Sequence, residues 1–310
     1  MNKKFFIAFT ISLVIFFLIF IVFYDSIFVS KIYEDGLDDA TDTLTEEIIE
    51  EDNPNKNNEV LFLLAGVDSK DINDKSVRTD TIMLMNVNFD KGDISLLSIP
   101  RDTRVKINNN TKKINDTHAI GGMPLTISTV NDLLGLNIEY YVKVDYQVVM
   151  DLVDIIGGVE IEVPFLMEYE DPTSDPPLNI HIKKGLQVLD GKNSHDFLRW
   201  RKNNPETVGY REGDVGRIEA QQYFMKELIK QTLKSEKLIT KLPSIAMTYI
   251  KNVETNLPLD TILSGIKFAE NLDTENIVTK TLPGEGLYID SISYFIHDEA
   301  KTKALVEEIY

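Results

Sequence analysis

The 310-residue chain contains no cysteine. That absence excludes disulfides, Cys-ligated zinc, iron–sulfur clusters and a thiol nucleophile together, although it does not assign a compartment. Basic charge is also scarce: 32 Lys and Arg stand against 50 Asp and Glu, for a net charge of -18 and a pI of about 4.7. Such a molecule repels DNA, RNA and anionic membrane surfaces, so no nucleic-acid partner is expected. What the chain does have, 43% hydrophobic and 26% charged residues, excludes disorder and leaves room for one large domain or two small ones.

One long hydrophobic run is present. Phe5 to Tyr24 carries no charge, and about 20 such residues cross the ~30 Å hydrocarbon core as a helix. Lys3 and Lys4 precede it and Asp25 follows, an asymmetry that keeps residues 1–4 in the cytoplasm and sends the rest outside. A cleavable signal peptide competes with this reading, but the run is longer than the usual ~7–15 residues and no A-x-A-like site follows. Residues 25–58 are rich in Asp, Glu, Asn and Thr and read as an acidic stalk.

From Glu59 a regular pattern begins. Val60–Val67, Thr81–Phe89, Asp93–Ile99, Glu139–Val144, Val159–Val163, Ile180–Ile182, Ile277–Leu282 and Leu287–Asp290 read as strands. The first is apolar throughout, hence central and covered on both faces. Met123–Leu134, Tyr146–Ile156, Ser194–Lys202, Asp214–Leu233, Leu238–Tyr249, Leu259–Asn271 and Ser293–Tyr310 read as helices, and Glu168–Pro177, with three prolines and four acids, as a loop. The alternation predicts one α/β domain over residues 59–310, a parallel or mixed sheet with helices on both faces.

The basic residues are unevenly divided. There are 25 Lys but only seven Arg, and four of the seven lie within Arg199–Arg217. The guanidinium fork binds phosphate bidentately, so the cluster points to an anion site; structural salt bridges with the surplus carboxylates are the alternative. Asp68 follows the first strand and Arg78-Thr79-Asp80-Thr81 opens the second. If the two are antiparallel neighbours, Asp68 and Asp80 meet as a hard oxygen pair suited to Mg²⁺. Pro100 ends the third strand and delivers Arg101, while Lys112-Lys113-Ile114-Asn115 and His118 lead to Gly121-Gly122. His118 reads either as a ligand or general base or as a structural hydrogen-bonder.

Taken in order, Gly66-Val67-Asp68, Arg78-Thr79-Asp80-Thr81, Ser98-Ile99-Pro100-Arg101-Asp102, Lys113-Ile114-Asn115…His118…Gly121-Gly122, Asp145-Tyr146, Gly157-Gly158-Val159, Leu189-Asp190-Gly191, Arg199-Trp200-Arg201 and Asp214…Arg217…Gln221-Gln222 resemble the LytR-CpsA-Psr (LCP) family of cell-wall enzymes. The resemblance spans about Val60 to Gln222. It implies an α/β/α sandwich on a mixed central β-sheet, and an enzyme that attaches teichoic acids, capsules or other glycopolymers to peptidoglycan outside the Gram-positive membrane. It further implies that Asp68 and Asp80 hold Mg²⁺ on a polyprenyl-pyrophosphate-linked donor. Arg101, Lys113, Arg199, Arg201, Arg217 and Gln221 would surround the phosphates, with Arg78 beside them. Ile120–Leu136 and Tyr146–Ile156 are candidates for the wall of a polyprenyl pocket. One departure is Ala220, where the family commonly has an arginine before Gln-Gln.

The expected reaction is a phosphotransferase step, in which a phosphoryl-glycopolymer passes to a peptidoglycan hydroxyl. Cations offset repulsion around the pyrophosphate, Arg101 foremost, and either Asp80 or Asp102 helps to deprotonate the hydroxyl. A hydrolase using water, and a non-enzymatic envelope regulator or binding protein, are the other classes compatible with these residues. Lys234–Tyr310 carries no readable motif.

Overall fold

The computed structural model describes residues 59–69, 71–173, 177–204, 208–210, 214–234, 245, 248–249, 252–258, 261–262 and 271–310. The anchor and stalk expected at residues 1–58, Arg211 and most of the helical patterns at Leu238–Tyr249 and Leu259–Asn271 lie outside them. Among the described residues no helix is long and apolar enough to cross a membrane.

In chain order the elements are β1 (Glu59–Val67), β2 (Thr79–Asn88), β3 (Asp93–Ser98), β4 (Arg104–Ile107), β5 (Asn110–Lys113), α1 (Asp116–Leu134), β6 (Tyr140–Asp145), α2 (Tyr146–Ile156) and β7 (Val159–Val163). They continue with β8 (Met167–Asp171), β9 (Leu178–Ile182), β10 (Gly185–Leu189), α3 (Gly191–Arg199), α4 (Asp214–Lys234), β11 (Val253–Thr255), β12 (Ile277–Thr281), β13 (Gly284–Ile289), β14 (Ile292–His297) and α5 (Glu299–Ile309).

The unbroken apolar run of β1 places it inside a six-stranded sheet of order β11-β6-β1-β2-β3-β12. β1 is antiparallel to β2 and parallel to β6, and β3 is parallel to β12, so the sheet is mixed. Successive side chains of a strand point to opposite faces. Leu63 and Ala65 therefore join Met123, Val130 and Leu134 of α1 and Val306 of α5, whereas Leu64 joins Met225, Ile229 and Leu233 of α4 on the other side. Helices cover both faces, as an α/β/α sandwich requires. A further apolar cluster ties α2, β7 to β10, α3 and α4 together around Val153, Phe197, Trp200 and Phe224.

Three expectations need correction. The loop expected at Glu168–Pro177 begins only after Asp171, because Glu168–Asp171 belongs to β8 and pairs with β9. Met167 and Tyr169 face the core while Glu168 and Glu170 face solvent, a period of two hidden by the density of acids. The helix expected from Ser293 starts only at Glu299, where the Asp298 carboxylate accepts the Lys301 amide at 3.0 Å. Residues before it form β14, folded back on β13 through Asp290 and Ser291 at positive φ. Finally, α3 runs from Gly191 to Arg199 rather than to Lys202, leaving Trp200 and Arg201 beyond its end.

The Gly121-Gly122 break is real but interrupts a helix that has already begun. α1 makes a turn from Asp116, leaves helical geometry at the two glycines and resumes at Met123. Gly122 has φ +65° and ψ -162°, a region open essentially to glycine alone.

Candidate functional site

Strand register builds the site. Val67 pairs with Thr79 and Gly66 with Thr81, with a bulge between Gly66 and Val67, so the residues following β1 and opening β2 emerge at one end of the sheet. The expectation that Asp68 and Asp80 meet there rests on this antiparallel pairing. A Cβ at Gly66 would sit 3.1 Å from the Thr81 Cβ, which explains the small residue at the crossing. β3 returns to the same end, where the Ile99 amide donates to the Ile82 carbonyl at 2.8 Å and Pro100 turns Arg101 over β2. The Arg101 guanidinium then lies 2.6 Å from the Asp80 carboxylate.

The second pair comes from α3. Its Asp190 N-cap accepts the Asn193 amide at 2.8 Å, and its last residue, Arg199, reaches Asp68 at 3.3 Å. Trp200 fixes that end. It is 1% exposed, its indole N–H donates to Asn203 Oδ1 at 3.0 Å, and its ring lies 5.0 Å from both Phe165 and Tyr210. Arg217 and Gln221, one turn apart on α4, are both buried. Gln221 donates to the Leu198 carbonyl at 3.2 Å, tying α4 to the last turn of α3. Asp80, Thr81, Ser98, Arg101, Arg217 and Gln221 line one cleft.

The other expected residues are placed differently. Arg78, largely exposed, pairs through Nε with Asp116 at 2.7 Å, and Lys113 pairs with Asp102 at 2.9 Å. Neither pair lines the cleft, nor does the exposed Arg201, and the Asp68–Arg199 pair lies outside its lining as well. His118 is 1% exposed and remote from solvent chemistry. A carbonyl can only accept, so its Nδ1 donates to Val77 O at 2.7 Å and Nε2 is left 3.4 Å from the Lys143 ammonium. The structural alternative for His118 holds.

Two residues beside the site have no polar role in the sequence reading. Tyr146 was legible only as pocket wall, yet β6 runs parallel to β1 with Asp145 opposite Val67, so Tyr146 emerges beside Asp68. Burial pushes its hydroxyl up to about 12, Asp80 and Asp68 push the same way, and Arg217 and Arg199 oppose them. The phenol thus senses both ion pairs and stays protonated. His195 meets the Tyr146 ring edge-on at 4.6 Å. Burial, and then Arg199, hold it below the ordinary histidine value against the pull of Asp196 and Asp68. The signal for both was the position of Tyr146 at the end of a parallel strand.

Mg²⁺ binding can be tested against this donor set. Each ion pair engages one oxygen of Asp68 or Asp80, and among the described residues no group of three or more His, Cys, Asp or Glu converges. Mg²⁺ commonly takes one or two carboxylates and completes its shell with substrate phosphates and water. Asp68 and Asp80, brought to one sheet end with an arginine on each, fit that habit. Ala220, at the position of the expected arginine, packs on the apolar cluster around Trp200.

Comparison with known proteins agrees with the fold. The polyisoprenyl-teichoic acid–peptidoglycan teichoic acid transferase TagU of Bacillus subtilis is 32% identical over 260 residues, covering 82% of this chain and 78% of that protein. The crystal structure of B. subtilis TagV superposes with a TM-score of 0.66 at 27% identity, over 82% of this chain and 97% of that one. That of B. subtilis TagU gives 0.56 at 28% identity, over 81% and 95%. A family model matches residues 26–309, so the chain belongs to the LytR_cpsA_psr family.

Proposed function

We propose that this chain is a phosphotransferase that moves a phosphoryl-glycopolymer of the teichoic acid kind from a polyprenyl-pyrophosphate carrier to a peptidoglycan hydroxyl, leaving a phosphodiester. Relatives that carry this activity in their names support the reading. The observation that carries it is the interleaving of carboxylates and cations at one sheet end: Asp80 on Arg101, Asp68 on Arg199, with Arg217 and Gln221 beside them.

The acceptor oxygen attacks the phosphorus that bears the glycan, and the bond from that phosphorus to the bridging oxygen breaks. Polyprenyl phosphate leaves with the electron pair, and the hydroxyl proton passes to a carboxylate. Both aspartates are ion-paired, but only Asp80 lines the cleft, which favours Asp80 as the acceptor of that proton. Arg101, Arg199 and Arg217 hold the oxygens on which charge grows, and preorganised cations cost no rearrangement when it does. The Tyr146 phenol, kept protonated, is placed to donate to a phosphate oxygen. Mg²⁺, held by Asp68 and Asp80, supplies neutralisation of the pyrophosphate when bound.

The carrier's tail calls for an apolar groove. Val148, Val149, Leu152, Ile155 and Ile156 of α2 are only half-buried, and this incompletely covered face supports α2 as one wall. Phe5–Tyr24 serves as a single-pass membrane anchor with residues 59–310 outside, and confinement to the plane of the lipid donor raises its effective concentration.

The test is a transfer assay with the full chain, a polyprenyl-pyrophosphate-linked glycan, a peptidoglycan oligosaccharide and Mg²⁺, read by mass spectrometry. A phosphodiester that retains the phosphate, is lost with Arg101→Ala and is lost on chelation is the expected result. Free glycan phosphate with an untouched acceptor would replace transfer by hydrolysis.

A further inference from the structure

We propose that the β4–β5 hairpin is a second anion subsite, which holds the phosphate-bearing polymer chain of the donor beyond its pyrophosphate. This rests on the transferase reading.

Charge placement is the first ground. Residues 101–113 hold five cations, Arg101, Arg104, Lys106, Lys112 and Lys113, against one carboxylate, Asp102, in a chain with net charge -18. A polyanionic substrate approaching so acidic a protein needs a local positive track. Carboxylates are plentiful, yet Arg104, Lys106 and Lys112 are exposed and make no ion pair among the described residues.

Geometry is the second. Asn108 and Asn109 both have positive φ, which gives the tight two-residue turn that matches strand twist and makes a rigid hairpin. Register puts Arg104 opposite Lys113 and Lys106 opposite Thr111, so Arg104, Lys106 and Lys113 share one face, the first two about 7 Å apart along the strand. The base of the hairpin is stitched to the catalytic segment: the Ile114 amide donates to Thr103 O at 2.8 Å and the Asn115 amide to Arg101 O at 3.1 Å. Ile107 and Ile114 are buried beneath it. The positive face therefore starts at the Lys113–Asp102 pair, next to Arg101, and runs away from the cleft.

An anionic lipid surface is the competing ligand. The tip, Asn108-Asn109-Asn110, offers no aliphatic or aromatic side chain to enter a bilayer, so the polymer is favoured.

Two synthetic donors test the subsite with the full-length chain. One is a polyprenyl-pyrophosphate disaccharide without further phosphate, and the other carries in addition a ten-unit poly(glycerol phosphate) chain. Arg104→Gln/Lys106→Gln is expected to lower the ratio of kcat/KM for the charged over the uncharged donor about tenfold, and to flatten its dependence on salt. Arg104→Lys/Lys106→Arg should restore the ratio. Equal loss on both donors, or no loss on either, overturns the proposal. So does an intact ratio accompanied by weaker sedimentation with phosphatidylglycerol vesicles, which would make the hairpin a membrane contact. Failure of the transferase reading looks different: the unaltered chain gives no phosphodiester from either donor, and calorimetric binding of free poly(glycerol phosphate) to it and to the Gln variant then judges the hairpin by itself.

Discussion

Lys143 is 1% exposed and is buried against a carboxylate. Its ammonium contacts the carboxylate of Glu254 on β11 and lies 3.4 Å from His118 Nε2, and Tyr141 donates to the same carboxylate at 3.0 Å. Burial alone would raise Glu254, but the hydrogen bonds from Lys143 and Tyr141 outweigh it and hold the carboxyl below its ordinary value. Glu254→Gln leaves the ammonium buried without its counter-charge. Breaking a buried pair from one side costs about 3–5 kcal/mol, and because Glu254 is 32% exposed the low end, about 3 kcal/mol, applies. For a domain of this size that lowers Tm by roughly 6–12 °C. Lys143→Met/Glu254→Gln removes both charges and should recover most of the loss, so thermal unfolding of the full chain and the two variants completes the comparison. Because the folded value of Glu254 is depressed, its contribution is present above the ordinary carboxylate range and fades as pH falls through the folded value; Glu254→Gln should be less sensitive to acid there. A double variant as unstable as the single one would refute the reasoning, since the cost would then lie in lost packing rather than in an orphaned charge. Glu254 touches Lys143 and Tyr141, neither of which lines the cleft, so kcat at moderate temperature should change little.

Gly122→Ala forces a side chain into a backbone region open only to glycine and should cost about 1–3 kcal/mol by denaturant titration. Trp200→Ala removes the ring between Phe165 and Tyr210 and should cost about 3–5 kcal/mol, with loss of activity because Arg199 is no longer held. Tyr146→Phe deletes one donor to a charged group, so kcat should fall roughly 10- to 100-fold while Tm stays near that of the unaltered chain. His195 is held below its ordinary value of about 6.5, so the unfolded chain binds its proton more readily. Stability from this residue is complete above that pH and declines as pH falls below it, and His195→Gln should lessen the decline.

Much of the site was legible because local chemistry declares itself. A lysine-preferring chain that places arginines at 101, 199 and 217, and aspartates at strand ends, points to an anion site through residue type alone, and the structure brings those residues to one sheet end. The β4–β5 hairpin was not legible, since four-residue strands, RVKI and NTKK, are too short for a period of two to stand out and the second has no apolar residue at all. Nor was the division of the cations, because Arg78 and Lys113 are as basic as Arg101 and only their neighbours Asp116 and Asp102 draw them away.

By itself the sequence determined the α/β alternation, the central place of β1 and the family, because hydrophobic period and motif order are properties of the chain in one dimension. Only the tertiary structure decided which groups gather at one end of the sheet. Antiparallel β1–β2 and parallel β1–β6 pairing bring Asp68, Asp80 and Tyr146 to one sheet end, and α3 and α4 bring Arg199, Arg217 and Gln221 to Asp68 and Asp80 from more than a hundred residues along the chain. Electrostatic pairing falls off with distance in space, not in sequence, so no reading of spacing could have sorted those charges.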